Sequence, residues 1–122
     1  MATPDAATRR RRAERRGHLA EWIAAVYLLA HGYRILAIRH KTKVGEIDLI
    51  ARRGDLIAFV EVKQRATDRA ALDAVSLTAQ RRIRSASDLW LSRRRDAATL
   101  SLRYDIITIS RHLRPRHLKD AF

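Results

Sequence analysis

Apolar and polar residues alternate along two short segments near the middle of the chain. The segments are 45–51 (GEIDLIA) and 56–63 (LIAFVEVK), and Gly54-Asp55 lies between them. Alternation with a period of two is typical of β-strands, and a Gly-Asp pair between two such segments is typical of a tight turn. The pattern therefore predicts a β-hairpin.

Helical spacing of apolar residues marks one segment before the hairpin and another after it. The first helix is predicted over about 13–31 and is followed by Gly32, a common residue just beyond a helix end. The second is predicted from residue 77 to about 92, with Ser76 as its N-cap. The apolar residues expected to face the core are Leu19, Trp22, Ile23, Val26 and Ala30 in the first helix and Ile83, Ala86 and Trp90 in the second.

Two further segments, 34–40 (RILAIRH) and 101–109 (SLRYDIITI), have the composition of strands. No element is predicted in the polar segment 64–70 or in the tail 111–122. The resulting order α-β-β-β-α-β predicts an α/β fold in which a central mixed β-sheet is flanked by helices.

The length of 122 residues suffices for one domain with one hydrophobic core. Residues 13–122 are expected to form that domain. Residues 1–12 contain an arginine run, which predicts a flexible basic arm or a helix that extends only on a polyanion. No run of about 18 apolar residues is present, so no membrane span is expected. Because the N-terminus also lacks the pattern of a secretory signal, the expected location is cytoplasmic.

The absence of cysteine excludes disulfides and thiolate metal sites. The five histidines are scattered without the spacing of a zinc site, and we expect them at the surface or as capping residues.

The net charge of +13 is the strongest signal in the composition. A field of this sign attracts polyanions and makes their binding dependent on salt. Nucleic acid is the expected partner, and an acidic protein or an anionic lipid surface is the alternative. The residues expected to contact nucleic acid are Arg10, Arg11, Arg12, Gln64, Arg81 and Arg82.

Three ionisable residues of the hairpin suggest a chemistry. If Gly54-Asp55 is the centre of a type II′ turn, Asp48 lies opposite Glu61, and their Cβ atoms are roughly 4.5–5.5 Å apart. If the turn is centred one residue earlier, the two carboxylates still share a face, diagonally. Lys63 lies on the same face as Glu61, because side chains alternate along a strand.

Two facing carboxylates repel unless a cation or a proton lies between them. Mg²⁺, or Mn²⁺ in its place, would resolve this repulsion if Asp48 and Glu61 bound it, and it would activate a water for attack on a phosphodiester. Lys63 would orient that water or stabilise charge on the phosphoryl oxygens. The simpler reading is a surface salt bridge between Glu61 and Lys63, which contributes little.

The motifs of the hairpin and its surroundings resemble those of the YraN family of small bacterial proteins. They are G17-H-L-A-E21, Gly32-Tyr33, G45-E-I-D-L-I-A51, F59-V-E-V-K-Q-R65 and R103-Y-D-I-I107. The resemblance implies a restriction-endonuclease-like fold, metal binding by Asp48 and Glu61, and a catalytic Lys63.

The same resemblance implies roles for residues outside the Asp48, Glu61 and Lys63 set. Glu21 would be a catalytic carboxylate on the first helix, Arg65 would contact phosphate, and Asp105 would pair with Arg103. One departure is Arg39, which stands where the family often has asparagine.

Taken together, these observations predict a Mg²⁺-dependent nuclease that hydrolyses phosphodiester bonds in DNA. The small size of the chain favours action as a homodimer. Two alternatives remain: a non-catalytic nucleic-acid-binding module with a nuclease fold, and a small basic structural protein. The first alternative retains the nuclease fold for binding alone. Neither alternative explains the paired carboxylates.

Overall fold

The computed structural model of the chain describes residues 5–122. The helices in this part of the chain are α1 Ala6–Ala30, α2 Asp68–Ala74 and α3 Leu77–Ser92. The strands are β1 Arg34–Lys41, β2 Glu46–Arg53, β3 Leu56–Lys63, β4 Ser101–Ile109 and β5 Pro115–Leu118. A short 3₁₀ turn, Ala97–Thr99, precedes β4.

The five strands form one sheet in the order β1-β2-β3-β4-β5. β3 and β4 are parallel and the other neighbouring pairs are antiparallel, so the sheet is mixed. α1 packs on one face, and α2 and α3, which connect the parallel strands, pack on the other. The predicted α/β fold with helices flanking a mixed sheet is confirmed, and it is compatible with a restriction-endonuclease-like fold. No helix within residues 5–122 is long and apolar enough to cross a membrane.

The central hairpin has the predicted register. Arg53 pairs with Leu56 and Leu49 pairs with Val60, which places Gly54-Asp55 at the centre of the turn. Gly54 has a φ of +60°. A type II′ turn requires this conformation at its first central residue, and glycine adopts it without steric cost.

The second predicted helix is also confirmed, as α3. The Ser76 hydroxyl oxygen accepts a hydrogen bond from the Ala79 N–H at 3.1 Å and caps the helix. Ile83 and Ala86 are buried, and the Trp90 ring packs edge-to-face on Phe59 with 5.8 Å between ring centroids. This stripe holds α3 against the sheet.

α1 begins at Ala6, well before its predicted start near residue 13. Asp5 caps it by accepting a hydrogen bond from the Thr8 N–H at 2.7 Å. The arginine run of residues 9–12 therefore continues the helix. Residues 1–4 of the predicted basic arm lie outside the described residues.

The face of α1 that packs on the sheet differs from the predicted one. Leu19, Trp22 and Val26 are 48%, 55% and 61% exposed, so their assignment to the core is wrong. Small side chains let the helix backbone lie close to the strands, and the larger residues are thereby left at the surface. The buried residues of the helix are Ala20, Ala24, Ala25 and Leu28.

Two elements were not predicted, α2 and β5. α2 is a seven-residue helix whose N-cap, Thr67, accepts a hydrogen bond from the Ala70 N–H. β5 has four residues and pairs with β4. Elements this short carry too few residues to show a periodicity.

A buried carboxylate anchors β5 and the C-terminal residues. Asp105 is fully buried and accepts hydrogen bonds at 2.8 Å from Nε and from one terminal nitrogen of Arg103, which confirms the predicted pairing. It also lies 2.7 Å from Nε2 of His117 and accepts the Asp120 N–H at 3.0 Å. The side chain of His117 is 3% exposed, so its expected place at the surface is wrong.

These partners decide the protonation of Asp105. Burial acts to raise its pKa, but the hydrogen bonds from His117, Arg103 and the Asp120 backbone outweigh it and hold the pKa below its ordinary value of 3.8. A carboxylate with a lowered pKa stabilises the folded state above that ordinary value, and the contribution is lost as the pH falls through the folded-state pKa.

We expect Asp105→Asn to lower the free energy of unfolding at pH 7 by about 3–5 kcal/mol, because it leaves the Arg103 charge without its buried partner. Urea titration followed by circular dichroism measures this. Asp73→Asn is the matched control, since its ion pair with Arg69 is exposed and should contribute at most about 1 kcal/mol. Equal losses in the two variants would contradict the role given to Asp105.

Candidate active site

The site begins at an irregularity in the pairing of β1 with β2. The ladder pairs the residues on either side of Arg39 and Asp48 but does not pair these two with each other. Arg39 has a φ of +51°, which non-glycine residues rarely adopt. The Oδ2 atom of Asp48 accepts the Val62 N–H at 2.9 Å, so this carboxyl group is held against β3.

The predicted position of Asp48 opposite Glu61 is modified by this contact. The paired part of the β2–β3 ladder ends at Leu49 and Val60, one position short of the two carboxylates. The Asp48 side chain takes the place of the next backbone pair. Both carboxyl groups still lie at the same end of the hairpin.

Glu61 is 9% exposed, and its Oε1 atom is buried without a hydrogen-bond partner within the described part of the chain. Its side chain lines a cleft of about 260 Å³ between the start of β2 and the first turns of α3. A buried carboxylate oxygen without a partner costs free energy, so an atom of this kind indicates a missing ligand or a functional requirement.

The electrostatics of the two carboxyl groups are strongly perturbed. Burial, followed by repulsion from Asp48, raises the pKa of Glu61 to about 8. Burial is also the main cause of the raised pKa of Asp48, about 6, and Glu21 adds to it by repulsion. Lys63 opposes both shifts through its positive charge. Without a cation, Glu61 therefore retains its proton near neutral pH.

Glu21 and Lys63 lie close enough to Asp48 for their charges to affect its pKa, which Glu21 raises and Lys63 lowers. Lys63 is half-buried and forms no ion pair with any described carboxylate. Glu21 is bound: its Oε2 accepts a hydrogen bond from the Arg39 guanidinium at 2.5 Å.

Arg39 is the residue of the site that sequence analysis missed. Its position in the middle of a strand gave no sign that it would reach α1. The only feature of the sequence that set Arg39 apart was that the family often has asparagine at this position. Its ion pair shows that it offsets the charge of Glu21 at the edge of the site.

The atoms of the site suit a hard divalent cation. Among residues 5–122 no three histidine, cysteine or acidic side chains are arranged to bind a metal. The available set is therefore the unpartnered Oε1 of Glu61 with the carboxylate of Asp48. Mg²⁺ is usually held by only one or two carboxylates, with water and substrate phosphate as its other ligands.

The residues predicted to contact nucleic acid lie in several places. The Gln64 amide donates to the backbone oxygen of Arg16, which joins the end of β3 to α1. Arg65 is exposed just beyond β3, and one of its terminal nitrogens donates to the backbone oxygen of Gln64. The remaining predicted contacts are exposed on helices: Arg10, Arg11 and Arg12 on α1, and Arg81 and Arg82 on α3.

Comparison with known proteins identifies similar chains. A family model described as uncharacterised protein family UPF0102 matches residues 20–109. A UPF0102 protein of Agrobacterium fabrum is 59% identical over 122 residues, the whole of both chains. UPF0102 proteins of Rhizobium leguminosarum bv. trifolii and Sinorhizobium fredii are 58% and 62% identical over 100% and 93% of each chain. UPF0102 is the YraN family, so the resemblance predicted from the motifs is confirmed.

We expect Glu61→Gln to stabilise the metal-free protein, and by more as the pH rises. The carboxyl group has its pKa raised from 4.5 to about 8 by folding. A raised pKa gives stability that is complete below about pH 4.5 and is lost as the pH rises through the folded-state value. Glutamine keeps the shape and does not titrate.

The measurement is the melting temperature in EDTA at several pH values between 5 and 9, shown as the difference between variant and wild type. Glu14→Gln, at an exposed position of α1, is the matched control. A difference for Glu61→Gln that does not change with pH would contradict the raised pKa.

Proposed function

We propose that this chain, which belongs to the UPF0102 family, is a Mg²⁺-dependent nuclease that cuts DNA. The observation that carries the proposal is the buried, unpartnered Oε1 of Glu61 beside Asp48. A fold with no use for Glu61 would gain stability if a neutral residue replaced it, because burial of this carboxyl group costs free energy in the absence of a cation.

In this proposal Asp48 and Glu61 hold the metal, Mg²⁺ or Mn²⁺. When bound, the metal supplies a Lewis acid that polarises the scissile phosphodiester and acidifies water. Lys63 is free of described carboxylates, so its ammonium group can orient the attacking water or stabilise charge on the phosphoryl oxygens. Arg39 holds Glu21 in place and offsets its charge at the edge of the site.

The choice of DNA as the substrate rests on charge. The chain carries 26 lysine and arginine residues against 13 aspartate and glutamate residues, and its net charge is +13. Such an excess favours binding to a phosphate backbone and makes it dependent on salt. The cytoplasm remains the expected location.

A non-catalytic nucleic-acid-binding module is the second candidate, and one observation favours it. Two of the three carboxylates already have partners on the protein, Glu21 on Arg39 and Asp48 on the Val62 N–H. A protein that kept only the fold would satisfy its buried acids in this way. The unpartnered oxygen of Glu61 argues for the nuclease.

We expect Mg²⁺ or Mn²⁺ to support cleavage of DNA and EDTA to abolish it. Asp48→Ala should reduce cleavage to background because the metal loses a ligand, and Lys63→Ala should reduce the rate by about 10²-fold or more, as removal of a charge-stabilising donor does. Supercoiled, linear, single-stranded and branched DNA are tested on gels. Asp73→Ala, an exposed change on α2, should cut as wild type does. DNA binding without cleavage of any substrate would refute the nuclease and favour the module.

We also propose that two copies associate through the exposed side of α1. Three residues there, Trp22, Val26 and Leu29, are more than half exposed, and Trp22 and Val26 line an apolar groove of about 360 Å³ that reaches Pro115. The segment 17–33 contains no lysine or arginine. Two chains of charge +13 repel each other least across such a surface, so a second copy is the partner that the charge pattern favours.

The double variant Trp22→Asp with Val26→Asp should be monomeric, because it places charge in the proposed contact without touching the core. Light scattering after size exclusion should give twice 14.0 kDa for the wild type and 14.0 kDa for the variant. Leu77→Asp, at an exposed position of α3, should remain dimeric. A monomeric wild type at all concentrations would refute the contact.

A further inference from the structure

We infer that a groove between the β1–β2 loop and α3 binds the sugar–phosphate backbone of DNA and leads it to Glu61. The inference deepens the proposed function and rests on it for the identity of the strand. It concerns a surface that none of the predicted nucleic-acid contacts except Arg82 occupies.

The groove consists of three adjoining clefts, each of which shares lining residues with the next. The outermost, about 550 Å³, lies between the loop at 41–43 and the end of α3, at Leu89 and Arg93. The next, about 490 Å³, shares residues 41–43 with it and extends to Gly45 and Arg82. The innermost, about 260 Å³, shares Gly45 and Arg82 and ends at Glu61.

The groove carries positive charge that the protein does not neutralise. Lys41, Lys43, Arg82 and Arg93 line it, and none of these side chains forms an ion pair with a carboxylate in the described part of the chain. Glu46 is the one acidic residue of the two outer clefts, so their charge is strongly positive.

The wall that carries the lysines has a fixed shape. The Thr42 hydroxyl oxygen accepts the N–H groups of Val44 and Gly45, and the hydroxyl donates to the Gly45 carbonyl oxygen at 2.7 Å. A side chain at Gly45 would come within 2.9 Å of the backbone oxygen of Arg82, so the loop rests directly on α3. The basic side chains of the groove are thus attached to backbone segments of fixed geometry, the 41–45 loop on one side and α3 on the other.

These features match a phosphate backbone better than an apolar or a base-specific ligand. Contacts from lysine and arginine to phosphate fix the position of a strand without reading its sequence. A strand in the groove would pass its phosphates along unneutralised cations and reach the carboxylate whose Oε1 atom has no partner. The groove therefore positions the strand at the candidate metal site.

The test compares two variants that remove the same charge. Lys43→Ala with Arg93→Ala empties the groove of two exposed cations, and Arg34→Ala with Lys119→Ala removes two exposed cations elsewhere. Arg34 begins β1, at the end of the strand away from the loop, roughly 20 Å from it at the rise of a strand. Both variants have a formal charge of 13 − 2 = +11, so only position distinguishes them.

Binding of a fluorescent duplex is measured by anisotropy in EDTA over a series of salt concentrations, beside melting temperature as a check on folding. The groove variant should bind at least about tenfold more weakly at low salt, and its slope of log K against log salt should fall by about 2, since each phosphate contact contributes about 0.9. The control should change the slope by less than about 1. Equal effects of both variants would overturn the inference.

The outcomes separate this inference from the nuclease. If the wild type cuts no DNA but the groove variant alone loses binding, the nuclease fails and the groove stands. If the wild type cuts and the groove variant binds and cuts as the control does, the groove fails and the nuclease stands. Polyglutamate that displaces the duplex at equal charge concentration would overturn backbone recognition and indicate an acidic peptide.

Discussion

Two carboxyl groups largely removed from water at one end of the hairpin are the constraint on which the site depends. Ionising Asp48 and Glu61 costs free energy, because burial and their mutual repulsion both disfavour the charged forms. The surrounding structure reduces this cost without removing it. The Val62 N–H holds Asp48, Arg39 holds Glu21, and Lys63 supplies an unpaired charge nearby. Oε1 of Glu61 is left for a ligand.

The same chain contains a buried acid that is fully satisfied, and the contrast is informative. Asp105 is as deeply buried as Glu61 but receives hydrogen bonds from Arg103, His117 and the Asp120 N–H. Its pKa is lowered, whereas that of Glu61 is raised. Asp105 therefore acts as an anchor that ties β5 to β4. Glu61 differs in that its buried Oε1 atom has no hydrogen-bond partner among the described residues, which leaves that position open to a ligand.

Sequence reasoning succeeded where the signal is local and failed where it depends on packing. The register of the central hairpin followed from one turn, because Gly54 can adopt the required φ and side chains alternate strictly. α1 has two apolar stripes, and hydropathy favoured the one that contains the larger residues Leu19, Trp22 and Val26. The sheet instead packs against alanines, which only the close approach of the helix explains. Likewise, the contact of His117 on β5 with Asp105 on the neighbouring strand β4 has no local pattern in the sequence.

Charge balance links the proposed metal to the proposed strand. Near neutral pH and without metal, Glu61 keeps its proton, so Glu21 and Asp48 carry −2, Arg39 and Lys63 carry +2, and the site is neutral. A bound metal would displace that proton. A divalent cation changes the balance to +1, which a phosphodiester of charge −1 neutralises. Metal and strand thus each favour the binding of the other, and linkage makes the effect reciprocal. On this view the basic surface brings DNA close at long range, and the metal makes the final position at Glu61 electrostatically acceptable.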